Sequence, residues 1–125
     1  MARALGVGGI FFRSPDPARL REWYREWLGI ESDGDGGAMF FPADMPPEAL
    51  TVWSPFPSGT DYFGSSGQAF MINLIVDDLD AALAQVRAGG ALVDERTESY
   101  DYGRFGWFTD PDGHRVELWQ PKTPA

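Results

Sequence analysis

The closing run Asp110-Pro111-Asp112-Gly113-His114-Arg115-Val116-Glu117-Leu118-Trp119-Gln120-Pro121 constrains this chain more than any other stretch. Asp-Pro-Asp-Gly is a turn signal, because proline presets its dihedral and glycine tolerates positive φ. The residues after it alternate as a strand does, with Arg115, Glu117 and Trp119 on one face and Val116 and Leu118 on the other. A glutamate on such a strand needs a partner or a ligand if its face closes over an interior. A weaker copy, Ala49-Leu50-Thr51-Val52-Trp53-Ser54-Pro55, lies upstream. Aligning Trp-Gln-Pro on Trp-Ser-Pro sets Thr51 opposite Glu117, which points to an internal duplication.

The pattern before each copy supports that reading. Leu5 to Arg13 reads as a strand, and Ser14-Pro15-Asp16-Pro17 opens a helix with Asp16 as N-cap and proline at the first position. Leu20, Trp23, Tyr24, Trp27 and Leu28 form its apolar stripe, and Gly29 ends it. Glu31 to Gly37 reads as a turn, and Ala38–Pro42 and Leu50–Ser54 read as strands. After the linker-like Pro55–Gly67, the order recurs. Ala69 to Val76 is a strand, and Asp77-Asp78 caps a helix with its stripe at Leu79, Ala82, Leu83 and Val86. Gly89-Gly90 ends that helix, and strands follow at 91–97, 104–109 and 114–120. Module 1 thus spans about residues 1–55, the linker 56–67, and module 2 residues 68–125. The aromatic pair Tyr62-Phe63 in the linker is placed to pack over something, since loops often carry binding residues.

Composition narrows the function classes. At 125 residues the chain is one domain or two half-sized modules sharing a core. Apolar content of 43% with 14% aromatics suits a globular core. The absence of cysteine excludes disulfides, thiolate metal sites and cysteine nucleophiles. A net charge of −9 works against nucleic acid and anionic membrane surfaces as partners. No apolar run reaches the length of a membrane span, and the N-terminus lacks a long signal-peptide core, so cytoplasm is the expected location.

Two βαβββ modules, with these caps and a closing Asp-Pro-Asp-Gly-x-x-x-Glu-Leu-Trp, resemble the vicinal oxygen chelate superfamily, which includes glyoxalase I, extradiol dioxygenases and bleomycin-resistance proteins. The resemblance covers essentially the whole chain. It implies an α+β fold in which tandem modules form a half-open mixed β-sheet cup around a central pocket, with the helices outside and homodimers usual. It also implies metal ligands on the first and last strand of each module, positions that map to Gly9, Thr51, Met71 and Glu117. Glutamate matches a typical ligand there. Glycine has no side chain, a neutral hydroxyl is a weak donor, and a thioether is too soft for Mg²⁺, Mn²⁺ or Zn²⁺. The single histidine, His114, has opposite strand parity to Glu117 and reads as an exposed turn residue. No cofactor is therefore expected; a divalent metal would face an incomplete ligand set.

The remaining candidates would line a small-molecule cleft. Period-2 alternation from residue 9 sends Phe11 and Arg13 inward. In glyoxalase I-like enzymes an arginine at the spacing of Arg13 resembles the residue that holds a substrate carboxylate, a task its planar fork suits. Trp53, Phe105, Trp107 and Trp119 lie on cup strands, with Met71 and Asn73 at inward parity on the strand before the second helix. Tyr100, Tyr102 and Arg104 fall in a hairpin-like run on the rim. Three roles are open to Glu117: a former ligand satisfied by Arg13, Arg104 or a tyrosine hydroxyl; a contact for a cationic or donating ligand; or a catalytic general base. The favoured expectation is a metal-free protein binding a small cationic or aromatic molecule. The alternative is a lyase, isomerase or dioxygenase of the superfamily, either metal-dependent or using Glu117 as base. Spare apolar area at Trp23 and Trp27 adds to the expectation of a homodimer.

Overall fold

The last strand is the centre of the structure. In the computed structural model, which describes residues 1–33 and 36–122, strand β5 (Arg115–Pro121) pairs on both sides. On one side runs β4 (Gly103–Thr109), antiparallel; on the other runs β1 (Ile72–Ile75), parallel. Two short strands, β2 (Leu92–Val93) and β3 (Glu98–Tyr100), pair antiparallel with β4 and complete an open five-stranded mixed sheet of order β1-β5-β4-β2. A parallel pair needs a crossover, and helix α2 (Leu79–Ala88) begins it.

The register sorts the side chains into two faces. Gly106, Phe108, Val116 and Leu118 meet α2, whose Leu79, Ala82, Leu83 and Val86 are the buried stripe expected from the sequence. Each fully buried aliphatic side chain contributes about 1.5–3 kcal/mol. Gly106 allows the close approach, since a Cβ there would sit 2.9 Å from the Leu83 side chain. At the edges of this face Arg104 pairs with Asp80, and the Gln120 amide oxygen accepts from the Leu79 backbone N–H at 2.8 Å. The opposite, concave face carries Phe105, Trp107, Arg115, Glu117 and Trp119, with Asn73 beside Glu117 in register.

Helix α1 (Pro17–Leu28) forms as its stripe predicts, with Asp16 capping the Arg19 N–H and Gly29 in the left-handed region at φ 66°. It docks on the second half of the chain. Trp23 stacks on Phe108 and donates to the Gly89 carbonyl at 2.9 Å, while Gln85 donates to the Trp27 carbonyl at 2.8 Å. The Tyr24 hydroxyl donates to Asp110 at 2.9 Å. Asp110 is buried and accepts two further N–H groups, from Asp112 and His114, so the Asp-Pro-Asp-Gly turn also anchors this helix. The Trp23 ring is thus engaged within the chain and the Trp27 ring lies against Gly89, each remaining partly exposed.

The rest of the first half differs from its sequence pattern. Residues 5–13, 38–42 and 50–54 form no strand, and Pro42–Asp44 is a single 3₁₀ turn. A strand needs ladder hydrogen bonds to a neighbouring edge, and among the described residues none joins these stretches to the sheet. Much of their apolar surface is exposed, including Phe11 at 94% and Trp53 at 80%. Among the described residues the second half gives one strand, helix α2 and four strands, and the first half gives α1 without a strand. The turn expected over 31–37 falls partly outside the described residues. Among those described, no helix is long and apolar enough to cross a membrane.

Candidate functional site

Glu117 stands at the middle of the concave face and is 6% exposed. Its partners come from three directions. The Trp107 indole N–H, opposite it on β4, donates at 2.8 Å. The Asn73 amide, beside it on β1, donates at 2.6 Å. The Tyr62 hydroxyl, from the loop after Pro55, donates to the oxygen that Trp107 also reaches. Among the described residues, three neutral donors and no cation satisfy this buried carboxylate. Burial, followed by the hydrogen bond to Glu117 and its charge, pushes the Tyr62 phenol well above the ordinary tyrosine range.

The loop bearing Tyr62 covers this part of the face. Tyr62 stacks on Phe56 with ring centroids 5.5 Å apart and meets Trp107 edge-on at 6.0 Å and 90°. Phe63 closes the cluster against Phe56. Arg115 ties the loop down: its Nε donates to the Tyr62 carbonyl at 3.3 Å, and its stem lies against Gly64. Gln68 holds Arg115 in turn, exchanging side-chain hydrogen bonds with the Arg115 backbone N–H and C=O. Arg115 and Arg96 flank the Trp107 ring at 5.2 and 5.8 Å, and pair with Asp94 and Glu98.

A second aromatic group continues the face. Tyr100 and Tyr102 stack at 5.3 Å, both ring edges meet Phe105, and Phe105 stacks on Trp119. Trp119 donates to the Tyr102 carbonyl at 3.2 Å, which fixes the hairpin over it. Gly103 makes this approach possible with φ 140°.

The other candidates lie apart from Glu117. Met71 precedes β1 at the parity of Asn73. Phe11, Arg13 and Trp53 sit on exposed segments, and among the described residues no hydrogen bond or ion pair joins Arg13 to Glu117. Arg104 corrects the sequence reading most directly. Its parity places it on the helix side, and its guanidinium is held by Asp80 at 3.0 and 3.2 Å. Of the partners expected for Glu117, the one found is a tyrosine hydroxyl. Tyr62 itself was not among the candidate lining residues, and its place in the Tyr-Phe pair of the linker-like loop was the available signal. His114 stands at the turn, its ring edge toward Phe12.

A family-type metal does not fit this donor set. Of the four mapped positions, Gly9 and Met71 offer no oxygen or nitrogen side-chain donor and Thr51 lies on an exposed segment. Among the described residues no three His, Cys, Asp or Glu side chains cluster to hold an ion. A cleft of about 440 Å³ opens elsewhere, between Arg19 and Trp23 of α1 and the Gly89–Leu92 turn. It shares no residue with the Glu117 cluster, and the Asp110 carboxylate on its wall is already engaged by three donors.

A mixed sheet with a buried glutamate on one face and helix α2 packed on the other agrees with the fold class that the resemblance to the vicinal oxygen chelate superfamily implies. Within that class, the family model for a glyoxalase-like domain matches residues 9–119, and the chain belongs to that family. It is 29% identical over 118 residues to "Putative glyoxylase CFP32" of Mycobacterium tuberculosis (strain CDC 1551 / Oshkosh). That match takes in 89% of this chain and 44% of the relative, so the chain spans under half of the relative's length. Among solved structures, a glyoxylase/bleomycin resistance protein/dioxygenase domain from Frankia sp. EAN1pec superposes with a TM-score of 0.58 at 18% identity, over 96% of this chain and 100% of that one. A protein of unknown function from Agrobacterium tumefaciens str. C58 superposes with a TM-score of 0.53 at 22% identity, over 95% and 100% of the two chains. Both likenesses speak for the fold alone.

Proposed function

We propose that this chain binds a small aromatic molecule on the concave face of its sheet and does so without a resident metal. The observation that carries this reading is the state of Glu117. The carboxylate at the family's ligand position is enclosed by Tyr62, Asn73 and Trp107, and the other mapped positions bring no comparable donor. Around it stand two aromatic groups with few charges among them, which is the composition of a small-molecule site. A general base needs a free lone pair facing its substrate, and here the oxygens face their own neighbours.

The first test is metal content by mass spectrometry, on tag-free protein before and after incubation with Ni²⁺, Zn²⁺, Mn²⁺ and Fe²⁺. Near-zero stoichiometry is expected. About one ion per chain would refute the metal-free reading and make glyoxalase and ring-cleavage assays the next step. A thermal-shift screen of aromatic compounds then tests binding. Turnover of any hit that is abolished in Glu117→Gln would move the chain to the enzymes.

A homodimer belongs to the same proposal. The first-half segments with exposed Ile10, Phe11, Phe40, Phe41, Val52 and Trp53 carry more contiguous-sequence apolar surface than a monomer usually leaves open. A second copy would supply the missing strand edges. Light scattering at micromolar concentration should read twice the chain mass, and a monomer would defeat the idea.

A further inference from the structure

Glu117 is served by two kinds of donor. Asn73 and Trp107 are fixed by strand register, one on each flanking strand. Tyr62 arrives from 55 positions away on a loop that forms no strand with the sheet. The loop's own backbone hydrogen bonds are local turns, Thr60 to Pro57 and Gly64 to Asp61. Apart from the Tyr62 ring and hydroxyl, Arg115 is its main tie to the sheet. The tyrosine ring is held as a bound aromatic would be, with one face on Phe56, one edge against Trp107, and its polar tip on a buried carboxylate.

Resting on the small-molecule reading above, we propose that Tyr62 is a resident stand-in for the ligand. The site reads an aromatic hydroxyl, and the ligand binds by displacing the Tyr62 ring and placing its own phenol on Glu117. The polar groups of the site select that chemistry. A carboxylate-bearing ligand would meet the buried Glu117. The two arginines beside the Trp107 ring are held by Asp94 and Glu98, so they offer a ligand anion no uncompensated charge. A neutral hydroxyl satisfies the oxygen that Tyr62 leaves.

Displacement has a cost that shapes the ligand further. A tethered side chain competes at an effective concentration in roughly the millimolar range, so a single free ring competes poorly. A larger planar phenol also reaches the Phe105–Trp119 stack on the same face, a contact Tyr62 does not make. The ligand class is therefore a fused or linked aromatic carrying a phenolic hydroxyl.

The test uses the full chain, with p-cresol, the free tyrosine side chain, as probe and toluene as its hydroxyl-free control. In Tyr62→Ala, p-cresol should bind at least about tenfold more tightly than to the unsubstituted protein and should outbind toluene by a similar factor. Glu117→Leu added to Tyr62→Ala should erase that preference. Equal p-cresol affinity with and without Tyr62, or toluene equal to p-cresol in Tyr62→Ala, overturns the proposal. Should Tyr62→Ala not fold, Tyr62→Phe keeps the ring and removes its hold on Glu117. Naphthol should then bind it several-fold more tightly than the unsubstituted protein, and equality overturns the proposal. A ligand screen that finds nothing for the unsubstituted protein would refute the binding reading separately, because p-cresol uptake by Tyr62→Ala requires no natural ligand.

Discussion

Replacing Glu117 by alanine tests the hydrogen-bond cluster that organises the concave face. The substitution leaves the Trp107 indole N–H, on a fully buried ring, with no acceptor. An orphaned buried donor costs about 1–3 kcal/mol. Asn73 is exposed and Tyr62 half-buried, so both can turn to water, and each lost bond costs about 0.5–1.5 kcal/mol. Relief of the buried carboxylate's desolvation offsets part of the sum. The net expectation is a loss of about 2–4 kcal/mol, or a fall in Tm of roughly 8–15 °C for a domain of this size. Urea unfolding followed by tryptophan fluorescence measures it, with an unchanged slope as the sign that the unfolded state is unaffected. Glu117→Gln is the control. Its amide oxygen can accept from Trp107 and Tyr62 while its NH₂ donates to a flipped Asn73, so a loss of about 1 kcal/mol or less is expected. A Glu117→Ala protein within about 0.5 kcal/mol of the unsubstituted one would refute the cluster's role. So would a double-mutant cycle with Trp107→Phe that showed no coupling.

Three further outcomes follow from other parts of the structure. Burial, and then the charge and hydrogen bond of Asp110, raise the Tyr24 phenol well above its ordinary value, so the folded state keeps a proton that the unfolded chain releases above about pH 10. Stability from this group is thus complete below pH 10 and lost as pH rises; Tyr24→Phe should make alkaline unfolding shallower by about 1.4 kcal/mol per pH unit above that point, as read by denaturant titration at stepped pH. Gly103→Ala puts a Cβ within 2.5 Å of Trp119 Nε1 at φ 140°, and should cost more than about 2 kcal/mol in chemical unfolding. Leu79→Ala, on the sealed side of the sheet, should cost about 2–5 kcal/mol, whereas Leu92→Ala, 76% exposed, should stay within about 0.5 kcal/mol by the same assay.

The second half was readable because its signals are local and agree with one another. The α2 stripe, its Asp78 cap, the Asp-Pro-Asp-Gly turn and the alternation of β5 each point to the element that forms. Helix α1 was readable for the same reason. The first-half strands carried the same apolar pattern, yet pattern names a strand without naming its neighbour, and none of their segments found an edge. The observed register sets Asn73, Trp107 and Glu117 on one face. Parity could have set Arg104 on the opposite face, since Arg104 and Phe105 differ by one residue; proximity to an unpaired carboxylate argued the other way. For Tyr62 the sequence offered an aromatic pair in a loop but not its target, because nothing periodic links a loop residue to a strand residue 55 positions later.

The parallel pairing of β1 with β5 also dictates an order of assembly. Asn73 meets its partner 44 positions later, on the last strand, and α1 docks on Phe108 and Asp110, which lie almost as late. At a synthesis rate of about 5–20 residues per second, the aromatic first half emerges well before anything exists to receive it. Helix α1 is the element that waits: its Tyr24 meets Asp110 only 86 positions later, so its apolar stripe has no surface to dock on until the closing turn has been made.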